Sequence, residues 1–427
     1  MKSSYLSKFD SECGSSHQYH FTLPSDLLDS EVGRFYKDVD WENVHSQRAV
    51  DLSKDDVECV IIGGGLSAIT LAAYMFHSNI QFLLVDPHAT LAKRFRKQVE
   101  STSQRVMRSP YEHYVGCQKV YDYSLLDFAK LHYSRLSKRE KEQVLLATAG
   151  HRSVVPVDLF LAHVLIMQIK THKLNECHVR DRVVNYRRNE EGFDVELESG
   201  KVLSCSYVVN AVGEEIRRIQ CQDPRIVEWD SGRIAGISSR NVLVVGAGQT
   251  AATVTEALVG NGCAVDIAFP DSRFFFRCVD STPHFFRPAG RVEAMKDWNN
   301  ILFPPSAMVE YEERFANYER SGLINLIPNA FLSVNDQLHP HISVDGESLD
   351  LSKYDFIVPC LGLQMNEDVP LGALRGIDSS IGEREYVIGA NAKGAIGPVA
   401  RNIDGHRVIA ERITRSILSW KCGLGYE

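Results

Sequence analysis

The chain has 427 residues, 44% of them hydrophobic and 24% charged, with a formal charge of −8. That length exceeds what a single hydrophobic core usually serves, so two or more domains are expected. The acidic balance argues against nucleic acid as a partner, and no apolar run approaches the ~18 residues of a membrane span.

Met1 to Ser30 is polar and lacks the apolar segment of a secretory signal, so a cytoplasmic location is the expectation. The 10 cysteines form no Cys-x-x-Cys pair, so neither a disulfide framework nor a structural zinc site is expected. Cys13, His17 and His20 cluster but cannot close such a site alone, and no metal ligands are assigned. Residues 1–55 read as an N-terminal extension that packs on the body through Phe21, Leu27, Leu28, Phe35 and Trp41.

The first strong pattern is Cys59-Val60-Ile61-Ile62-Gly63-Gly64-Gly65-Leu66-Ser67-Ala68. A β-branched run enters a glycine turn and continues into an apolar-periodic helix, Ile69 to Phe76, which is the context of a dinucleotide-binding fingerprint. Gly63 permits the tight turn, Gly65 lets backbone approach a pyrophosphate, and Ala68 is small enough for close helix–strand packing. The helix N-terminus offers free N–H groups to the phosphates. Asp86 ends the next strand, where its carboxylate accepts hydrogen bonds from ribose hydroxyls.

A polar, basic segment follows from Lys93 to Gln104, then an ordered loop around Met107, Arg108 and Pro110. Pro156 opens a helix that runs through Ile169. Phe193 to Leu197 alternates with period two, and Ser199-Gly200 supplies a hairpin turn. Tyr207 to Gly213 is a further buried strand ending in glycine.

The second decisive stretch is Val242-Leu243-Val244-Val245-Gly246-Ala247-Gly248-Gln249-Thr250-Ala251. Again a β-branched strand enters Gly-x-Gly-x-x-Ala and a helix, stopped by Gly260 and Gly262. Ala264 to Ala268 is its second strand, but the acid expected at that strand's end is missing. Arginines such as Arg273 follow instead, which suits a 2′-phosphate and hence NADPH, with Asp271 near enough to keep NADH open. Tyr354 to Gly362 mirrors Tyr207 to Gly213. Tyr386 to Asn391 turns into the glycine-rich loop Gly394–Pro398, and a helix from Asp404 to Trp420 closes the chain. Phe274, Phe275, Phe276, Phe285 and Phe286 read either as a pocket lining or as an aromatic core patch.

This layout resembles the two-dinucleotide-binding-domain flavoproteins, more narrowly the class B flavin monooxygenases and the related N-hydroxylating monooxygenases. The resemblance is carried by Gly63, Gly65, Ala68 and Asp86 on one side and by Gly246, Gly248, Gln249, Thr250 and Ala251 on the other. Gly213 and Gly362 match the family's strand-end glycines. Gly389 and Asn391 stand at its C-terminal Gly-Asp flavin loop, with asparagine for aspartate. The signature F-x-G-x-x-x-H is absent, and Asp280-Ser281-Thr282-Pro283 is followed by His284 rather than asparagine, so the family's substrate contacts do not carry over.

The resemblance implies an α/β fold of two Rossmann-like three-layer domains, the NADPH domain inserted into a discontinuous FAD domain. The expected spans are 56–220 and 351–427 for FAD and 235–350 for NADPH. It further implies cofactor contacts from Met107, Val183 and Ile396. Arg108 is expected to face an anionic reduced flavin or a carboxylate substrate, with a surface arginine paired to an acid as the alternative. The implied activity is an FAD- and NADPH-dependent monooxygenase that uses O2 on a small-molecule substrate, most simply N-hydroxylation through a flavin hydroperoxide. A reductase or oxidase without oxygenation, and a silent redox-sensing flavoprotein, remain open, as does a homo-oligomer.

Overall fold

The computed structural model describes residues 9–11, 56–117, 124–151, 153–277, 305–334, 340–365 and 378–424. The Cys13, His17 and His20 cluster, the five apolar residues expected to dock the extension, and Asp280 to Phe286 lie outside the described residues.

The first fingerprint folds as strand, turn and helix: β1 (Asp56–Ile62), α1 (Leu66–His77), then β2 (Phe82–Val85) and α2 (Lys93–Ser101). Four further strands belong to the same sheet: β3 (His178–Val179), β4 (Val183–Arg188), β5 (Phe193–Leu197) and β6 (Val202–Asn210). Its parallel part runs β6–β1–β2–β3. Residues 202–205 of β6 also pair antiparallel with β5, and β5 with β4, so a hairpin packs over one face of the sheet. Phe193, Val195 and Leu197 point inward from β5 at every second residue and bury against Val60, Ile62 and Val85, as period-two alternation requires.

The second fingerprint gives β7 (Asn241–Val245), α3 (Gln249–Gly260) and β8 (Ala264–Ala268), joined by β9 (Ile324–Ile327) and β10 (Phe356–Pro359). This separate parallel sheet has the order β9–β8–β7–β10. The chain then returns to the first sheet, where β11 (Glu385–Val387) pairs parallel with β6, and ends in α4 (Ile403–Lys421). The second α/β domain is therefore inserted into the first. Beyond β6 and beyond β10 the chain crosses between the domains twice, and the crossings pair with each other: Glu214–Ile216 runs antiparallel to Leu363–Met365. One expected boundary moves. Residue 351 was to open the returning FAD segment, but β10 is held by β7, so the second sheet extends through Pro359.

The first core lies between the sheet and its helices. On α4, Ile409, Ile413 and Ile417 recur every four residues and are fully buried, each worth ~1.5–3 kcal/mol of transfer free energy. Leu159 to Ile169 is the core helix its apolar content implied, α-helical to His163 and π-helical beyond. No helix of the described residues is long and apolar enough to cross a membrane.

Two histidines in this core couple folding to pH. His163 meets Ser124 Oγ through Nε2 at 2.9 Å, and burial pushes it down to about 3, while burial pushes His406 down to about 4. An unfolded histidine titrates near ~6.5. The unfolded chain therefore takes up these protons first. The stability they support is complete above pH ~6.5 and is lost as pH falls toward their folded values. Urea unfolding at about pH 5 should show the first domain weakened by roughly 2 kcal/mol per histidine relative to pH ~7.5. His163→Gln should flatten that slope, and a slope identical to that of the unsubstituted protein would refute the assignment.

Candidate dinucleotide-binding sites

Both fingerprints end their strand in a glycine held by the same device. Gly63 has φ +116°, and a Cβ there would lie 2.8 Å from the carbonyl oxygen of Ala211, just past β6. Gly246 has φ +139°, and its Cβ would lie 2.3 Å from the carbonyl oxygen of Cys360, just past β10. Each glycine N–H donates at 2.8 Å to the last residue of the neighbouring strand, Val85 or Ala268. In each unit the fingerprint strand lies between the strand that follows it and the strand that returns later. Their carboxyl ends form the crevice where α/β sheets bind ligands.

The second glycines are different. Gly65 and Gly248 cap α1 and α3 with extended backbone, and no atom lies within 4 Å of a Cβ built on either. That open space sits at helix N-termini whose first N–H groups have no partner in the helix. Behind them Ala68 and Ala251 are fully buried, which permits the close approach of helix to sheet.

At the first site the Asp86 carboxylate is fixed. Its Oδ2 accepts from Gly64 N–H at 2.8 Å, and its Oδ1 accepts from the backbone N–H of His88 at 2.9 Å and contacts His88 Nδ1 at 2.8 Å. A carboxylate offers about four lone-pair positions, so acceptor capacity remains for a ribose hydroxyl. A groove of about 1110 Å³ runs from Gly63, Gly65 and Asp86 past Val183 and Tyr186 to Glu385. Val183, implied only by family resemblance, is thus brought beside the fingerprint. Tyr186 and Glu385, which the sequence reading passed over, close the far end, with Tyr186 OH donating to Glu385 Oε1 at 2.5 Å.

The register identifies the missing acid of the second site. Val245 pairs with Ala268 as Ile62 pairs with Val85, so Phe269 occupies the place of Asp86. Phe269 is fully buried, so the position that matches Asp86 carries no carboxylate. Asp271 lies two residues on with Oδ2 buried and unbonded by any described residue, and Arg273 is exposed four residues on. Gln249 accepts from Met308 N–H through Oε1 at 2.9 Å, yet its Nε2 is buried without a hydrogen bond. Thr250 beside it is half-buried.

The remaining expected residues divide between groups. Gly213 and Gly362 have φ +79° and +83° and open the two paired crossings. Gly389, at φ +80°, packs on the start of α1, where its Cβ would meet Ser67 Oγ at 3.2 Å. Asn391 follows in the same turn, buried, with neither Oδ1 nor Nδ2 bonded to any described residue. Ile396 is buried nearby in the core that α4 covers. Met107 is buried and pairs with Val155. Arg108 reaches across to the second domain, donating to the carbonyl oxygen of Ser306 at 3.1 Å and to its Oγ at 2.8 Å. Of the aromatics, Phe274 and Phe276 are fully buried against Phe315 and belong to the core.

These features fit the two groups that the family resemblance implies. Asn391 offers a buried amide with both ends unsatisfied near α1, and Gln249 offers a buried donor. An unbonded buried polar atom costs ~1–3 kcal/mol, so a polar ligand at either place restores what the free chain lacks. Gly65 and Gly248 leave room for pyrophosphate.

No family model matches the chain, and no curated protein matches it in sequence. Solved structures do match. The ornithine hydroxylase of Pseudomonas aeruginosa is 16% identical with TM-score 0.64, over 85% of this chain and 98% of that one. The bacillithiol disulfide reductase of Staphylococcus aureus is 14% identical with TM-score 0.58, over 86% and 99%. A flavin-containing monooxygenase of Stenotrophomonas maltophilia is 13% identical with TM-score 0.56, over 86% and 99%. The chain has the two-domain fold that these monooxygenases and this reductase share.

Proposed function

We propose that the protein is an FAD- and NADPH-dependent monooxygenase, FAD lying along the first groove and NADPH at the second fingerprint. The carrying observation is the matched pair of turns, each with a strand-end glycine pressed under a carbonyl and a second glycine left open at a helix N-terminus. The buried Phe269 in place of an acid supports NADPH over NADH, because a carboxylate there would serve the ribose hydroxyls of NADH and repel a 2′-phosphate.

The bound cofactors supply hydride transfer and oxygen activation. The chain's own residues position and shield. Asp86 receives the ribose, Asn391 offers its amide to the flavin, and Gln249 holds the second turn to Met308 while presenting Nε2. Arg108 ties the first domain to Ser306 beside that contact. No cysteine pair with Cys-x-x-Cys spacing exists in the chain, which disfavours a dithiol reductase.

N-hydroxylation is the specific reaction proposed: an amine R–NH2, O2, NADPH and H⁺ yield R–NHOH, H2O and NADP⁺. NADPH supplies two electrons, and O2 supplies one atom to nitrogen and one to water. The test is coupling. With a panel of primary amines, one member should cut hydrogen peroxide release per NADPH and yield a product heavier by one oxygen. Peroxide accounting for all NADPH with every amine would point to an oxidase. NADPH oxidation only when a disulfide is added would point to a reductase.

A further inference from the structure

Among the described residues, two cations on the first groove have no counter-charge. Lys93 and Arg94 line it beside Gly63, Gly64, Gly65 and Asp86. Both are half-buried, and neither has a hydrogen bond or ion pair with any described residue. The groove's other basic groups are engaged: Arg182 lies 3.9 Å from Glu198, Arg188 pairs with Glu383, and His88 lies against Asp86.

Their roots are fixed next to the glycine turn, because Ala92 N–H donates to the Gly64 carbonyl oxygen at 2.8 Å. No acid stands in the first turn of α2 to offset them. Cations at a helix N-terminus oppose the helix dipole, so in the free chain this placement is unfavourable twice over. An anion in the groove removes both penalties. Asp86, which also lines the groove, bonds Gly64 and His88 rather than either cation.

We propose that Lys93 and Arg94 bind the pyrophosphate of the dinucleotide in the first groove, together with the free N–H groups that begin α1. The inference rests on the reading of that groove as a dinucleotide site. Arginine gives a planar two-pronged contact to a phosphate, and lysine a mobile point charge. The pair therefore reads the diphosphate, while Asp86 reads the ribose.

The protein, freed of nucleotide, should be titrated calorimetrically with FAD, ADP and adenosine. Lys93→Gln and Arg94→Gln should each raise the Kd for ADP and FAD roughly tenfold, the value of one charged hydrogen bond. Adenosine binding should stay unchanged, and added salt should weaken ADP binding more in the unsubstituted protein than in the double variant. Lys97→Gln, on the exposed side of the same helix, should behave like the unsubstituted protein. An unaltered ADP Kd in the double variant overturns this proposal alone, as does an equal loss of adenosine binding. Failure of the unsubstituted protein to bind either FAD or ADP overturns the dinucleotide reading itself.

Discussion

Valine at Gly248 should abolish NADPH-driven flavin reduction while the protein stays folded and keeps its flavin. Gly248 has φ −93°, which any residue adopts, and a Cβ there meets nothing within 4 Å. The side chain therefore costs the protein little. It fills the space at the start of α3 where a pyrophosphate must approach, and displacing a bound group by an ångström costs about a hundredfold in rate. Gly65→Val is the mirror experiment. Gly65 is equally open, with φ −76°, and its variant should lose FAD but still bind NADPH. Flavin absorbance after gel filtration, and the anaerobic rate of flavin bleaching by NADPH, separate the two outcomes. Normal turnover by the Gly248 variant would remove NADPH from the second fingerprint.

Alanine at Gly63 or Gly246 should act on stability instead. At both positions φ is strongly positive and the added Cβ would strike a backbone carbonyl oxygen, at 2.8 Å and 2.3 Å. The Ala211 carbonyl resists turning away, because its peptide plane is held by Val212 N–H, which donates to Asn210 Oδ1 at 3.1 Å. The expected loss is about 2–4 kcal/mol, the sum of backbone strain and steric displacement. Gly246→Ala should be the worse, since its contact is shorter. Urea unfolding followed by tryptophan and flavin signals would report which domain melts early. A variant as stable as the unsubstituted protein would mean that the turn is not held as described.

Much of this site was legible in the residues because its signals are local. A β-branched strand entering Gly-x-Gly-x-x-Ala and a helix is decided within about a dozen residues, by dihedral preference and periodicity. Gly63, Gly65, Gly246 and Gly248 accordingly fall in the turns where they were expected. The alternation of Phe193 to Leu197 placed the hairpin for the same reason. The absence of an acid after Ala268 was also legible, though only the strand register shows that Phe269 takes its place.

Other roles depend on partners far along the chain, which no local pattern encodes. The sequence leaves Arg108 either facing a flavin or carboxylate or paired with an acid at the surface, and does not reveal its hydrogen bonds to Ser306, 198 residues away. Lys93 and Arg94 read only as part of a polar, basic segment, and the docking of α2 on the Gly64 carbonyl turns them to the groove. Phe274 and Phe276 could have lined a pocket, and their packing on Phe315 makes them core.

The sequence by itself determined two glycine turns with their strands and helices, because these follow from short-range geometry repeated along the chain. The insertion of one unit within the other was implied by the family resemblance alone, and the return of β11 to the first sheet shows it. Tertiary structure alone decided that β10 closes the second sheet, that the two crossings pair, and that the buried Asn391 amide bonds no described residue. Those facts arise when segments distant in sequence compete for the same sheet edge or the same buried space. Burial and pairing there are properties of the assembled core, and no single stretch of the chain contains them.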